Sequence, residues 1–150
     1  VSSMTTAYRK PFSTNLYSKY DDVAKRALIS HLVKEGHELL DSTESYDADL
    51  TTQKGNVTYY SEAEVKTAWN GDWPPHWAEI RIPERKKRLL GKHHSNLKFY
   101  IFSGDLSKAW CIDSSLLTED KLKEARGRNI TNGEQFYHVP YKQAKLIKLI

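Results

Sequence analysis

At 150 residues with 39% hydrophobic side chains, the chain can bury a core without disulfides, and its one cysteine, Cys111, leaves no Cys pair or Cys/His spacing for a zinc site. No apolar run approaches the roughly 18 residues of a membrane helix and the polar start has no apolar signal core, so one cytoplasmic domain spanning 1–150 is expected. The net charge of +4 is unevenly placed: between Arg81 and Lys98 seven basic residues stand against one acid, Glu84, leaving 16 basic and 18 acidic residues elsewhere.

Residues 1 to about 17 are rich in Ser, Thr and Tyr without a period and read as a loosely ordered arm. From Asp21 the spacing turns helical through Val23, Ala27, Leu28 and Leu32. Asp21 and Asp22 suit the start of a helix and Gly36 its end, predicting a helix from Asp21 to about Glu35. His37 to Asp41 reads as a strand and Ser42 to Ser45 as a polar turn. Tyr46 to Thr52 and Val57 to Thr67 then form a hairpin turned at Lys54, Gly55 and Asn56. From Trp69 to Trp77, Gly71, Pro74 and Pro75 break regular structure. Trp73, His76 and Trp77 in this loop suit stacking on bases, although tryptophans in a proline-rich loop more often plug a core edge.

Ile80 to Ile82 reads as a short strand, and Pro83 opens a helix through about Leu90, followed by Gly91. Arg85, Lys86, Lys87, Arg88 and the following Lys92 are candidates for gripping backbone phosphates, against the alternative of a solvated helix face. The neighbouring His93 and His94 read as loop residues. Leu97 to Phe102 and Lys108 to Ile112 form a second hairpin through Ser103, Gly104 and Asp105. A charged helix is expected from Thr118 to about Arg126, a strand from Gln135 to Val139, and a last helix after Pro140 on which Ala144, Leu146 and Ile147 alternate with lysines. The order implies an α/β fold with a central mixed sheet.

In Ser61-Glu62-Ala63-Glu64-Val65-Lys66, strand alternation puts Glu62, Glu64 and Lys66 on one face. Pairing Lys54 with Val57 and carrying that register outward sets Asp49 opposite Glu62 and Asp47 opposite Glu64. Clustered carboxylates repel and call for a cation, and hard oxygen donors favour Mg²⁺ or Mn²⁺. Such an ion acidifies a water and neutralises charge on a phosphodiester, while a nearby lysine can position the attacking water. A strand with one solvated face would carry Glu-x-Lys equally well.

From Asp21 to Thr67, a leading helix, a strand and a hairpin with Asp on one arm and Glu-Val-Lys on the other resemble the PD-(D/E)xK nucleases, which include restriction enzymes, junction resolvases and some homing endonucleases. The family's proline is absent, since Ala48 precedes Asp49 and Tyr46 precedes Asp47. The resemblance implies a restriction-endonuclease-like core and Mg²⁺-dependent hydrolysis of phosphodiester bonds in DNA, with a dimer or higher oligomer for double-strand cuts. By it, Asp49, Glu64 and the Val65 carbonyl hold the metal, Asp47 is the reserve ligand, and Lys66 assists the water. Glu62 either binds a second ion or faces solvent. Two other readings stand beside this one: a nucleic-acid-binding module on the same fold that does not cut, and a phage or mobile-element accessory protein acting through protein contacts. No serine sits in a nucleophile elbow and no glycine-rich phosphate loop is present.

Overall fold

The computed structural model of the protein describes residues 14–41, 48–92, 96–125, 130 and 133–149. Helix α1 (Thr14–Lys34) starts well before Asp21, inside the expected arm. Its Ala24, Leu28 and Leu32, one turn apart, are buried along a single stripe. The helix stops in a Schellman turn. Gly36, at φ 95°, brings its N–H to 3.0 Å from the Val33 carbonyl and the His37 N–H to 2.9 Å from that of Leu32.

Strands β1 (Glu38–Asp41), β2 (Leu50–Lys54) and β3 (Val57–Lys66) follow as an antiparallel meander. The turn at Gly55 and Asn56 sets Lys54 opposite Val57 and Leu50 opposite Ser61, the register expected from the sequence. Strand β2 is shifted relative to the expected Tyr46 to Thr52, and residues 42–47 lie outside the described residues. The chain then crosses through the tryptophan loop, β4 (Glu79–Pro83), a 3₁₀ turn (Glu84–Lys86) and helix α2 (Lys87–Lys92). It returns as β5 (Leu97–Ser103), which lies parallel to β3. Strand β6 (Lys108–Asp113) folds back on β5, and β7 (Leu122–Glu124), β8 (Gln135–Pro140) and β9 (Lys145–Lys148) complete the order. The result is a mixed six-stranded sheet, β1-β2-β3-β5-β6-β9, and a separate antiparallel sheet of three strands, β4-β8-β7.

The large sheet separates two cores. Tyr100 and Phe102 of β5 pack with Leu50, Ala63 and the apolar stripe of α1. Leu97, Phe99 and Ile101, on the opposite face of the same strand, pack with Trp110, with Ile80, Ile82, Tyr137 and Val139 of the small sheet, and with Leu89 of α2. A strand covered on both faces must be apolar almost throughout, as β5 is.

Where helices were expected at 118–126 and after Pro140, the described residues form 3₁₀ turns followed by β7 and β9. Their lysines and leucines have helical spacing, but each segment has a sheet edge within reach. Leu122 pairs opposite Tyr137, and Leu146 and Ile147 pair opposite Trp110 and Ala109. The helix expected from Pro83 is likewise shortened and runs past Gly91 to Lys92. No described helix is long and apolar enough to cross a membrane.

The tryptophan loop plugs the core that lies toward the small sheet. Trp69 is fully buried and stacks on Trp110 at 6.1 Å, while Trp73 meets both edge-on. Gly104, just past β5, holds the loop down: its N–H donates to the Trp69 carbonyl at 2.6 Å. A Cβ there would stand 2.7 Å from Asn70 Oδ1 and 2.9 Å from the Thr67 carbonyl oxygen. Gly104→Ala should therefore cost about 1–3 kcal/mol, read as a lower urea midpoint, because the backbone oxygen cannot swing away. Wild-type stability in that variant would show that the loop does not depend on this close approach.

Candidate functional site

Regular pairing of β2 with β3 ends at Leu50 and Ser61, and beyond that point side chains finish the ladder. Glu62 Oε2 accepts the Asp49 N–H at 2.8 Å, and Asp49 Oδ2 accepts the Ala63 N–H at 3.0 Å. This reciprocal pair fixes the Asp49 carboxylate against β3 and satisfies two main-chain donors that the strand pairing has left. Alternation along β3 turns Ala63 toward α1 and Tyr60 toward the small sheet, so Glu62 and Glu64 share the side of Tyr60.

The last residue of the 3₁₀ turn after β4, Lys86, reaches into this group. Its Nζ lies 2.6 Å from Glu62 Oε1 and 3.8 Å from Glu64 Oε1. The Glu62 and Lys86 side chains are only 4% and 15% exposed, so this is a buried ion pair, whereas Glu64, at 38%, opens to solvent. Burial alone would push the Lys86 pKa down. The charges of Glu62, Glu64 and Asp49, with the hydrogen bond to Glu62, outweigh that and hold its pKa well above the usual lysine range.

Of the residues singled out in the sequence, Asp49 and Glu64 are thus brought together, around one ammonium group. That group belongs to Lys86, not Lys66. Lys66, at the exposed end of β3, instead has its Nζ 5.1 Å from the centre of the Trp77 ring. Loss of hydration there and the nearby charge of Arg81 lower its pKa. The Val65 side chain packs into the α1 core, which leaves its main-chain carbonyl as the only donor it can offer. Asp47, His93 and His94 lie outside the described residues. Glu62 is not solvent-facing: one of its oxygens holds Asp49 and the other holds Lys86.

The basic stretch does not form a single phosphate-facing stripe. Lys86 is turned inward, contrary to its expected place on a gripping face, because a buried carboxylate binds it. Arg85 pairs with Glu134 and Lys87 with Glu119, each at 3.0 Å, and Arg88 and Lys92 are exposed on α2. One signal in the sequence pointed to a buried countercharge: Glu62, on a strand paired on both sides, needs a cation from elsewhere in the chain. Which lysine would supply it depended on the crossover, and no local pattern reveals that.

Beside Lys66 lies an open cleft of about 440 Å³ lined by Lys66, His76, Trp77, Glu79 and Arg81. Its acid, Glu79, is engaged by His138 Nδ1 at 3.2 Å and by Lys123 Nζ at 3.5 Å. Arg81 counted toward the basic segment in the sequence but was not recognised as a site residue.

Among the described residues no three His, Cys, Asp or Glu side chains form a ready-made metal cage. The groups that meet Lys86 are nevertheless carboxylate oxygens, from Glu62 and Glu64, with the Asp49 carboxylate held beside them on β3. In donor chemistry the group fits a hard divalent cation. Comparison of the chain with protein families, curated proteins and solved structures gives no match.

Replacing Lys86 by Met should cost about 3–5 kcal/mol in urea unfolding at neutral pH, because Glu62 is then left buried without a countercharge. Adding Glu62→Gln should restore most of that loss, and failure to do so would mean that Lys86 acts through packing alone. The pH dependence has a definite sign. Since the folded pKa of Lys86 lies above the ordinary 10.5, its contribution is complete below about pH 10.5 and disappears only as pH rises through the folded value.

Proposed function

We propose that the protein is a Mg²⁺-dependent endodeoxyribonuclease built on a restriction-endonuclease-like core. The observation that carries this reading is that Glu62, with Asp49 hydrogen-bonded to it from the adjacent arm of one β-ribbon, and Glu64 share the ammonium of Lys86, at 2.6 and 3.8 Å. The topology is in keeping with it: a leading helix, three antiparallel strands and a crossover to a strand parallel to the third. Asp49, Glu64 and the Val65 carbonyl are the groups that would hold the ion, which supplies an acidified water and charge neutralisation at the scissile phosphate.

The protein's own residues divide the remaining work. The Ala63 N–H and the Glu62 carboxylate orient Asp49. Lys86 neutralises Glu62, so the charge of that acid does not compete for the ion. Lys66, two positions beyond Glu64 at the mouth of the cleft, orients the water or the phosphate that enters there. Cutting both strands of a duplex would bring two such subunits together.

The second reading, a nucleic-acid-binding module that does not cut, has one observation in its favour: Lys86 already compensates the carboxylates without any ion. Incubation with supercoiled plasmid and four-way-junction DNA separates the two. With Mg²⁺ the wild type should cut, EDTA should stop it, and Asp49→Asn or Glu64→Gln should slow cutting by about 100-fold or more. Cutting that persists in EDTA, or that Lys66→Ala leaves untouched, would sink the nuclease mechanism. Binding without cutting under every condition would favour the second reading.

A further inference from the structure

Lys66 and Arg81 line the same cleft, and among the ion pairs of the described residues neither has a carboxylate partner. Glu79, which lines the same cleft, is engaged by Lys123 and His138 on the small sheet. Two exposed cations thus face one open cavity whose one carboxylate is already engaged, and Trp77 packs against the Lys66 ammonium at 5.1 Å. Like charges held together in this way favour an anion between them. At about 440 Å³ the cleft falls within the ~300–1,000 Å³ of sites that hold drug-sized ligands, room for a nucleotide unit as well as a lone ion.

From this juxtaposition we infer that Arg81 and Lys66 seat the phosphodiester backbone of a nucleic-acid strand in the cleft at the end of β3. The inference rests on the reading of nucleic acid as the substrate and adds where the strand lies. Arg81 contributes a planar fork that can bond two phosphate oxygens at once, and Lys66 contributes a point charge. The strand enters on the side where β3 carries Glu64, which puts its phosphates next to the carboxylate group rather than along α2. The exposed cations of α2 then extend the path and do not define it.

The test is fluorescence anisotropy of a labelled 30-base-pair DNA in EDTA, so that binding is read without cutting. Arg81→Gln and Lys66→Gln should each weaken binding about tenfold and lower the slope of log affinity against log salt by about one. Lys54→Gln, which removes the same charge at the hairpin turn at the other end of β3, should change neither quantity appreciably. Full binding by both cleft variants overturns the inference, whether or not the protein cuts DNA. Equal binding of polyglutamate, weakened equally by Arg81→Gln, overturns the assignment to a phosphodiester. Loss of binding in the cleft variants of a protein that never cuts upholds the seat while the nuclease reading fails.

Discussion

A carboxylate with 4% of its side chain exposed cannot stay charged in a protein interior without a partner, and Glu62 has two: the Asp49 N–H and the Lys86 ammonium. Each contact ties a different part of the chain to β3. Through Asp49 the end of β2 is held against β3 after regular pairing has stopped. Through Lys86 the turn that follows β4 is held against the large sheet, and with it the small sheet that begins at β4. The placement of the two layers relative to the carboxylates therefore depends on this one buried charge.

Stability alone does not explain why the charge is there. Well-packed apolar residues of similar volume often replace a buried ion pair at no loss, and Phe99 stands opposite Glu62 in the sheet. A Tyr or Leu at that position would bury as well and need no lysine. What an apolar residue would lack is a fixed acceptor for the Asp49 N–H and a negative field that keeps Lys86 protonated. Both effects fall on the neighbours, Asp49 and Glu64, which supports a role for the pair in poising those two acids. The Lys86 charge held there in turn offsets the repulsion among the neighbouring acids.

Much of this was legible from local pattern. The β2–β3 register followed from a two-residue turn at Gly55 and Asn56, and with it the meeting of Asp49 with Glu62. The faces of β3 followed from alternation, and the burial of β5 from its unbroken apolar run. Elements decided by distant partners were not legible. Lys123 and Lys145 lie in segments whose spacing suits a helix equally well, and only the open edges of β8 and β6 made them strands. Lys86 was read as one cation among four in a row because nothing in Arg85-Lys86-Lys87-Arg88 distinguishes the residue whose turn points inward. The site itself shows the same division. The meeting of Asp49 with Glu62 follows from the register, while Lys86 arrives from the crossover and pairs with Glu62 where a phosphate-facing role was expected.

That crossover also explains why the positive charge is distributed as it is. The seven basic residues from Arg81 to Lys98 run from β4 of the small sheet into β5, and the segment meets the acids of β3 at Lys86. One of them, Lys86, is consumed in neutralising buried acid, and three more, Arg85, Lys87 and Lys98, are paired with Glu134, Glu119 and Asp113. Arg81 faces outward because Ile80 and Ile82, its neighbours on β4, are the residues turned into the core. With Glu79 on the same side already bound to His138 and Lys123, strand geometry leaves Arg81 beside Lys66, and a cluster that began as net acidic at Glu62 ends, a few residues along the same strand, as net basic at the cleft. Under the proposed function, that gradient would draw a phosphodiester to the basic end of the strand and a divalent cation to its acidic end.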